Sequence, residues 1–62
     1  MIEVKARKQN GEKIVQLMYD DLLDEYTLST KIKGSLYSKR EVILSWPEAW
    51  FRYLEILKFY QL

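Results

Sequence analysis

The chain has 62 residues, a net charge of +1, 48% hydrophobic and 15% aromatic residues, and neither Cys nor His. That length fits one small domain near the lower limit for an unaided core; disulfides and thiolate or imidazole zinc sites are excluded, and the apolar content argues against disorder. No run of about 18 apolar residues could span a membrane, and Met1-Ile2-Glu3-Val4-Lys5 lacks the apolar stretch of a secretion signal, so an intracellular location, cytoplasmic or nucleoid-associated, is expected.

Alternation dominates before residue 46. Ile2, Val4 and Ala6 alternate with Glu3, Lys5 and Arg7, the pattern of a half-buried strand. Asn10-Gly11 follows, a hairpin signal because both residues tolerate positive φ. Lys13 to Tyr19 reads as a second strand, with Ile14 and Met18 on one face and Val15, Leu17 and Tyr19 on the other. A strand that is apolar on both faces belongs in the middle of a sheet or at an interface.

Asp20 to Asp24 is an acidic connection, and Tyr26 to Ile32 alternates again. Gly34-Ser35-Leu36-Tyr37-Ser38 breaks the pattern as a loop. Arg40 to Leu44 makes a short fourth strand, with Val42 and Leu44 expected inward. Ser45 and Glu48 then match a capping box, and Pro47 fits a first helical turn, where a missing N–H is no loss.

The expected architecture is α+β: a four-stranded antiparallel meander over residues 2–44, followed by one C-terminal helix over 46–61, ββββα, in a single domain. At about 100° per residue, Trp46, Ala49, Trp50, Tyr53, Leu54, Ile56, Leu57 and Tyr60 fill one sector of the helix. Glu48, Arg52 and Glu55 mark the opposite side, where Phe51, Phe59 and Leu62 interrupt the wet face. One sheet covers one sector only. Phe51, Phe59 and Leu62 are therefore the expected interface of a homodimer.

Charge is unevenly spread. Residues 1–19 carry +2, residues 20–25 carry −4 and residues 26–40 carry +4. A helix on one face leaves the other sheet face free, expected to carry Lys5, Arg7, Thr27, Ser29, Lys31 and Lys33. Cationic grooves with stacking rings bind single-stranded nucleic acid. The candidate contacts are Lys5, Arg7, Lys31, Lys33, Lys39 and Arg40, with Tyr37 as the stacking ring. Tyr19 and Tyr26 stand behind it, with cross-strand packing as their more ordinary role.

Catalysis has little support. With no His or Cys, Ser35, Ser38 and Lys39 would have to act alone, and turn chemistry explains them better. Asp20, Asp21, Asp24 and Glu25 lack the spacing of a calcium loop, because Leu22 and Leu23 stand where ligands and a glycine are wanted. Gly11 and Gly34 stand apart, so no glycine-rich phosphate cradle exists. No enzyme activity, cofactor or metal is expected.

The run Val42-Ile43-Leu44-Ser45, then Pro47-Glu48-Ala49-Trp50 and Leu54, resembles the C-terminal part of the positive cofactor four family of single-stranded DNA-binding coactivators. Val4-Lys5-Ala6-Arg7, the Gly11 turn and Ile14-Val15-Gln16-Leu17 are similar to that family's first hairpin. The resemblance implies a curved four-stranded sheet plus helix, a dimer, and single strands bound across the sheets. It matches Lys5 and Arg7 to first-strand nucleic-acid contacts, and Lys31 and Lys33 less closely. The expected function is a small dimeric single-stranded DNA- or RNA-binding protein of transcription or replication. The alternative is a protein-interaction module, an inhibitor or adaptor of viral or mobile-element kind, that binds no nucleic acid.

Overall fold

A computed structural model describes all 62 residues. Four strands, β1 (Ile2–Asn10), β2 (Lys13–Asp20), β3 (Glu25–Ile32) and β4 (Ser38–Ile43), form one antiparallel sheet in chain order, and α1 (Trp46–Phe59) follows. The ββββα meander expected from the alternation is the fold. β2, apolar on both faces, takes a central place in it.

The core is small. Val15, Leu17, Leu28 and Ile43 from the sheet meet Ala49 and Tyr53 from α1, with Ala6, Tyr26, Ile56 and Leu57 partly buried around them. Leu17 and Leu28 face each other across β2 and β3 and are almost wholly buried. Truncating either to Ala costs about 2–5 kcal/mol, because the deleted methyls leave a cavity.

The hairpin turn sits one residue later than the Asn-Gly pair suggests. Asn10 is the last residue of β1 and pairs with Lys13, so Gly11 and Glu12 form the two-residue turn. Gly11 has φ +59, and Glu12 is not among the positive-φ residues. Glycine at the first central position is what a type II′ turn requires.

β1 does not alternate regularly. A β-bulge lies between Val4 and Ala6, so Val4 pairs with Met18 and Ala6 with Leu17, and Lys5 has no partner. The extra residue reverses the alternation. Ala6 therefore packs under the helix, while Ile2 and Val4 lie on the open face rather than inward with it. β4 also departs from expectation. Ile43 pairs with Tyr26 on the covered face and is buried, whereas Val42 is 56% exposed and Leu44 is exposed too. The helix-side place before Ile43 is held by Glu41, which Arg52 of α1 neutralises.

Ser45 is the N-cap of α1 with extended backbone, but its side chain makes no capping bond, so the capping box does not form. The Ala49 N–H bonds the Ser45 carbonyl at 2.9 Å, and Pro47 occupies the first turn. Glu48 in the first turn and Lys58 in the last complement the helix dipole.

The C-terminus closes with a Schellman motif. Gln61 N–H bonds the Lys58 carbonyl at 3.2 Å, and Leu62 N–H bonds the Leu57 carbonyl at 2.8 Å. Gln61 takes the left-handed conformation, φ +59, that this motif demands. Leu62 is thereby folded back against its own core rather than onto the outer face of α1.

Candidate nucleic-acid interface

A meander sends alternate turns to opposite ends of its sheet. The Gly11-Glu12 turn and the loop before β4 share one end, where the Lys33 N–H bonds the Glu12 carbonyl at 2.7 Å. Arg7, Lys8, Lys13, Lys31, Lys33 and Lys39 lie in or near this end with Glu12, and Arg40 lies mid-strand; Lys39 shares a cavity with Glu55, and Arg40 lines a pocket with Asp20. None of the seven cations forms an ion pair. The opposite end holds Glu3, Asp20, Asp21, Asp24 and Glu25 against Lys5. A chain of net charge +1 is therefore strongly polarised along its strands.

Pairing fixes which of these residues share a face. Arg7, Gln16, Ser29 and Arg40 form one continuous row across all four strands on the face that α1 does not cover. The adjacent row towards the basic end is Gln9, Ile14, Lys31 and Ser38. Arg7 bonds the Gln9 amide oxygen at 3.0 Å. The row on the other side is Val4, Met18, Thr27 and Val42, mostly apolar.

The candidate contacts divide accordingly. Arg7, Lys31 and Arg40 sit on the open face with Thr27 and Ser29. Lys5 does not: the bulge turns it to the helix side, 3.2 Å from Glu3 and 5.8 Å from the Tyr19 ring centre. Lys33 lies just past β3, in the turn. Lys39 pairs with Thr30 on the helix side and lines a cavity between α1 and the β3–β4 hairpin.

That cavity encloses about 350 Å³. Thr30 and Lys39 contribute from the strands, Ile56 and Phe59 from the helix, and Tyr37 and Tyr60 from the two chain segments at the basic end. The Tyr60 hydroxyl approaches that of Tyr37 at 3.5 Å, and that contact, with some desolvation, raises the Tyr60 pKa. Lys13 lies 5.6 Å from the Tyr60 ring centre. Tyr37, 43% exposed, is thus a ring at the basic end, as a stacking role requires.

The acidic end is occupied with its own turn. Asp20 Oδ1 accepts the N–H groups of Leu22 and Leu23, Asp21 lies 2.6 Å from the Met1 nitrogen, and Asp24 accepts the Tyr19 hydroxyl at 2.7 Å. Hydrogen bonding to the Asp24 carboxylate, assisted by desolvation, pushes the Tyr19 pKa up to about 12. Tyr19 and Tyr26 pack across strands with centroids 4.8 Å apart. From there a file of rings continues onto the helix through Trp46, Trp50 and Tyr53 at successive spacings of 5.5, 5.7 and 5.4 Å.

Sequence reasoning missed Lys13, Tyr60 and Thr30 as neighbours of Lys39 and Tyr37. The signal was the hairpin count: a meander brings residues near 12 and near 34 to the same end, and a helix starting at the other end returns its last turn to them.

Comparison with protein-family models, curated proteins and solved structures finds no match to this chain.

Proposed function

We propose that this protein binds single-stranded nucleic acid, DNA or RNA, as a homodimer acting inside the cell in transcription or replication, in the manner the resemblance to the positive cofactor four family implies. One observation carries the reading: six cations without ion-pair partners gather at one end of the sheet. Phosphates are attracted by such a concentration whatever the net charge, since screening limits the influence of the distant acidic end to about 10 Å at 0.1 M salt. Arg7, Lys31 and Arg40 contact the backbone across the open face, and Tyr37 offers a ring to a base. Lys33 and Lys39 extend the positive rim. No catalytic step or cofactor belongs to this function.

Dimerisation rests on the helix flank that no strand covers. Of the expected interface, Phe51 is 66% and Phe59 78% exposed while Leu62 packs on the core, and Trp46, Trp50 and Leu54, expected to face the sheet, are partly exposed too. Burying each large side chain against a second copy contributes roughly 1.5–3 kcal/mol. For a fold with so few buried side chains, that is a substantial addition.

A second reading is favoured by the apolar row Val4, Met18, Thr27 and Val42, which lies beside the basic row on the same face. Such a surface suits a protein partner, making the chain an inhibitor or adaptor. Anisotropy titration of a labelled single-stranded oligonucleotide, against duplex, at two salt concentrations separates the readings. Salt-sensitive binding with preference for the single strand supports the first; no binding at low salt removes it and leaves the second.

A further inference from the structure

We infer that the cavity between α1 and the β3–β4 hairpin receives one nucleobase of the bound strand, an inference that rests on the nucleic-acid reading above. Its volume of about 350 Å³ lies at the small end of the range for ligand sites, suited to a single base with part of its sugar. Tyr37 and Phe59 supply ring faces, and Ile56 adds an apolar wall. At the floor, Thr30 is only 4% exposed, and its hydroxyl forms no side-chain hydrogen bond within the chain. A hydroxyl both donates and accepts, so it suits the polar edge of a base.

Charge around the cavity favours a neutral ring inside and a phosphate outside. Arg52 is committed to Glu41 and Glu55, a trio of net charge −1 that the wall residue Lys39 balances, so the surroundings of the cavity are close to neutral. Lys39 forms no direct ion pair, although the Glu41 carboxylate lies within its reach, and it meets a phosphate at the rim. Tyr37 and Tyr60, which line the cavity, belong to the basic end. The contact at its edge, between the Tyr37 and Tyr60 hydroxyls, is long and exposed, so an entering base displaces it easily.

The test uses a thymine oligonucleotide carrying one 2-aminopurine, with acrylamide quenching of its fluorescence as the measure of access. In complex with the wild type, the 2-aminopurine is expected to be shielded several-fold relative to the free strand. Thr30→Val keeps the shape of the floor but removes its hydroxyl, and Tyr37→Ala removes an exposed loop ring. Both should restore access to the quencher, and Tyr37→Ala should weaken binding about tenfold, as loss of one base-stacking ring does. Salt-sensitive binding with an unshielded 2-aminopurine, or with shielding unaltered in both variants, overturns the base pocket alone. Absence of salt-sensitive binding overturns the nucleic-acid reading and the pocket with it.

Discussion

Arg52, midway along α1, grips Glu41 of β4 with two bonds at once: Nε to Oε1 at 3.1 Å and Nη2 to Oε2 at 3.0 Å. It is the one ion pair between helix and sheet, and Arg52 holds Glu55 of its own helix as well. The pair lies between the hydrophobic core and the cavity at the basic end. Arg52 also lines that cavity, and Glu41 pairs in register with the buried Leu28.

The hydrogen bonds from Arg52 hold the Glu41 carboxyl below the usual carboxylate range. A depressed folded-state pKa gives stability that is complete above the ordinary glutamate value of about 4.3 and is lost as pH falls through the depressed value. Glu41→Gln is expected to melt at lower temperature than the wild type at pH 7. The gap should narrow as the pH is taken down through the acid range. Thermal melts across that range check it; a gap independent of pH means that the pair contributes nothing electrostatic.

Tyr19 provides the alkaline counterpart. Its pKa, raised to about 12 by the Asp24 carboxylate, lies above the ordinary value. The tie is therefore present below about pH 10 and is lost as pH rises through the folded value. In an absorbance titration of the tyrosines, where Tyr53 and Tyr60 are raised as well, the Tyr19 phenol should titrate late. Asp24→Asn should advance it, and Asn tolerates the left-handed backbone (φ +50) that Asp24 adopts. A titration unchanged by the substitution would show that Asp24 is not the cause.

The Schellman turn makes a stability prediction of opposite sign. Gln61 carries a side chain in a conformation that favours glycine, so Gln61→Gly should stabilise the fold by about 0.5–1 kcal/mol. Denaturant unfolding measures this. Destabilisation would mean that the Gln61 side chain contributes more than its backbone strain costs.

Phe51 tests the oligomer. Sedimentation at micromolar concentration is expected to give a dimer for the wild type and a folded monomer, or an unfolded chain, for Phe51→Glu. A wild-type monomer would remove the homodimer. Leu62 belongs to the intramolecular core, so Leu62→Ala should lower stability without selectively dissociating the dimer.

The meander and its helix were legible because period-two alternation and the Ser45–Glu48 segment mark elements clearly. Phase was less legible. Ile2, Val4 and Ala6 alternate perfectly in sequence, yet the bulge at Lys5 puts Ala6 under the helix and leaves Val4 outside, and no local residue announces that insertion. At β4, Val42 and Ile43 are equally apolar, and the inward position next to Ile43 is disguised as the charged Glu41; only its partner, eleven residues on, makes a half-buried carboxylate tolerable. The same limit governs the site. The basic residues are plain in the sequence, but a one-residue change of phase separates Lys5 from Arg7, and only the register places Arg7 and Arg40 at the two ends of one row.

The most direct measurement is the slope of log affinity against log salt concentration for a single-stranded oligonucleotide, in the wild type and in the triple variant Arg7→Ala, Lys31→Ala and Arg40→Ala. Each phosphate neutralised on a single strand adds about 0.7 to that slope, so loss of three contacts should flatten it by about 2. An unchanged slope in a folded variant would contradict the placement of the strand on the open face, and affinity insensitive to salt in the wild type would contradict nucleic-acid binding itself.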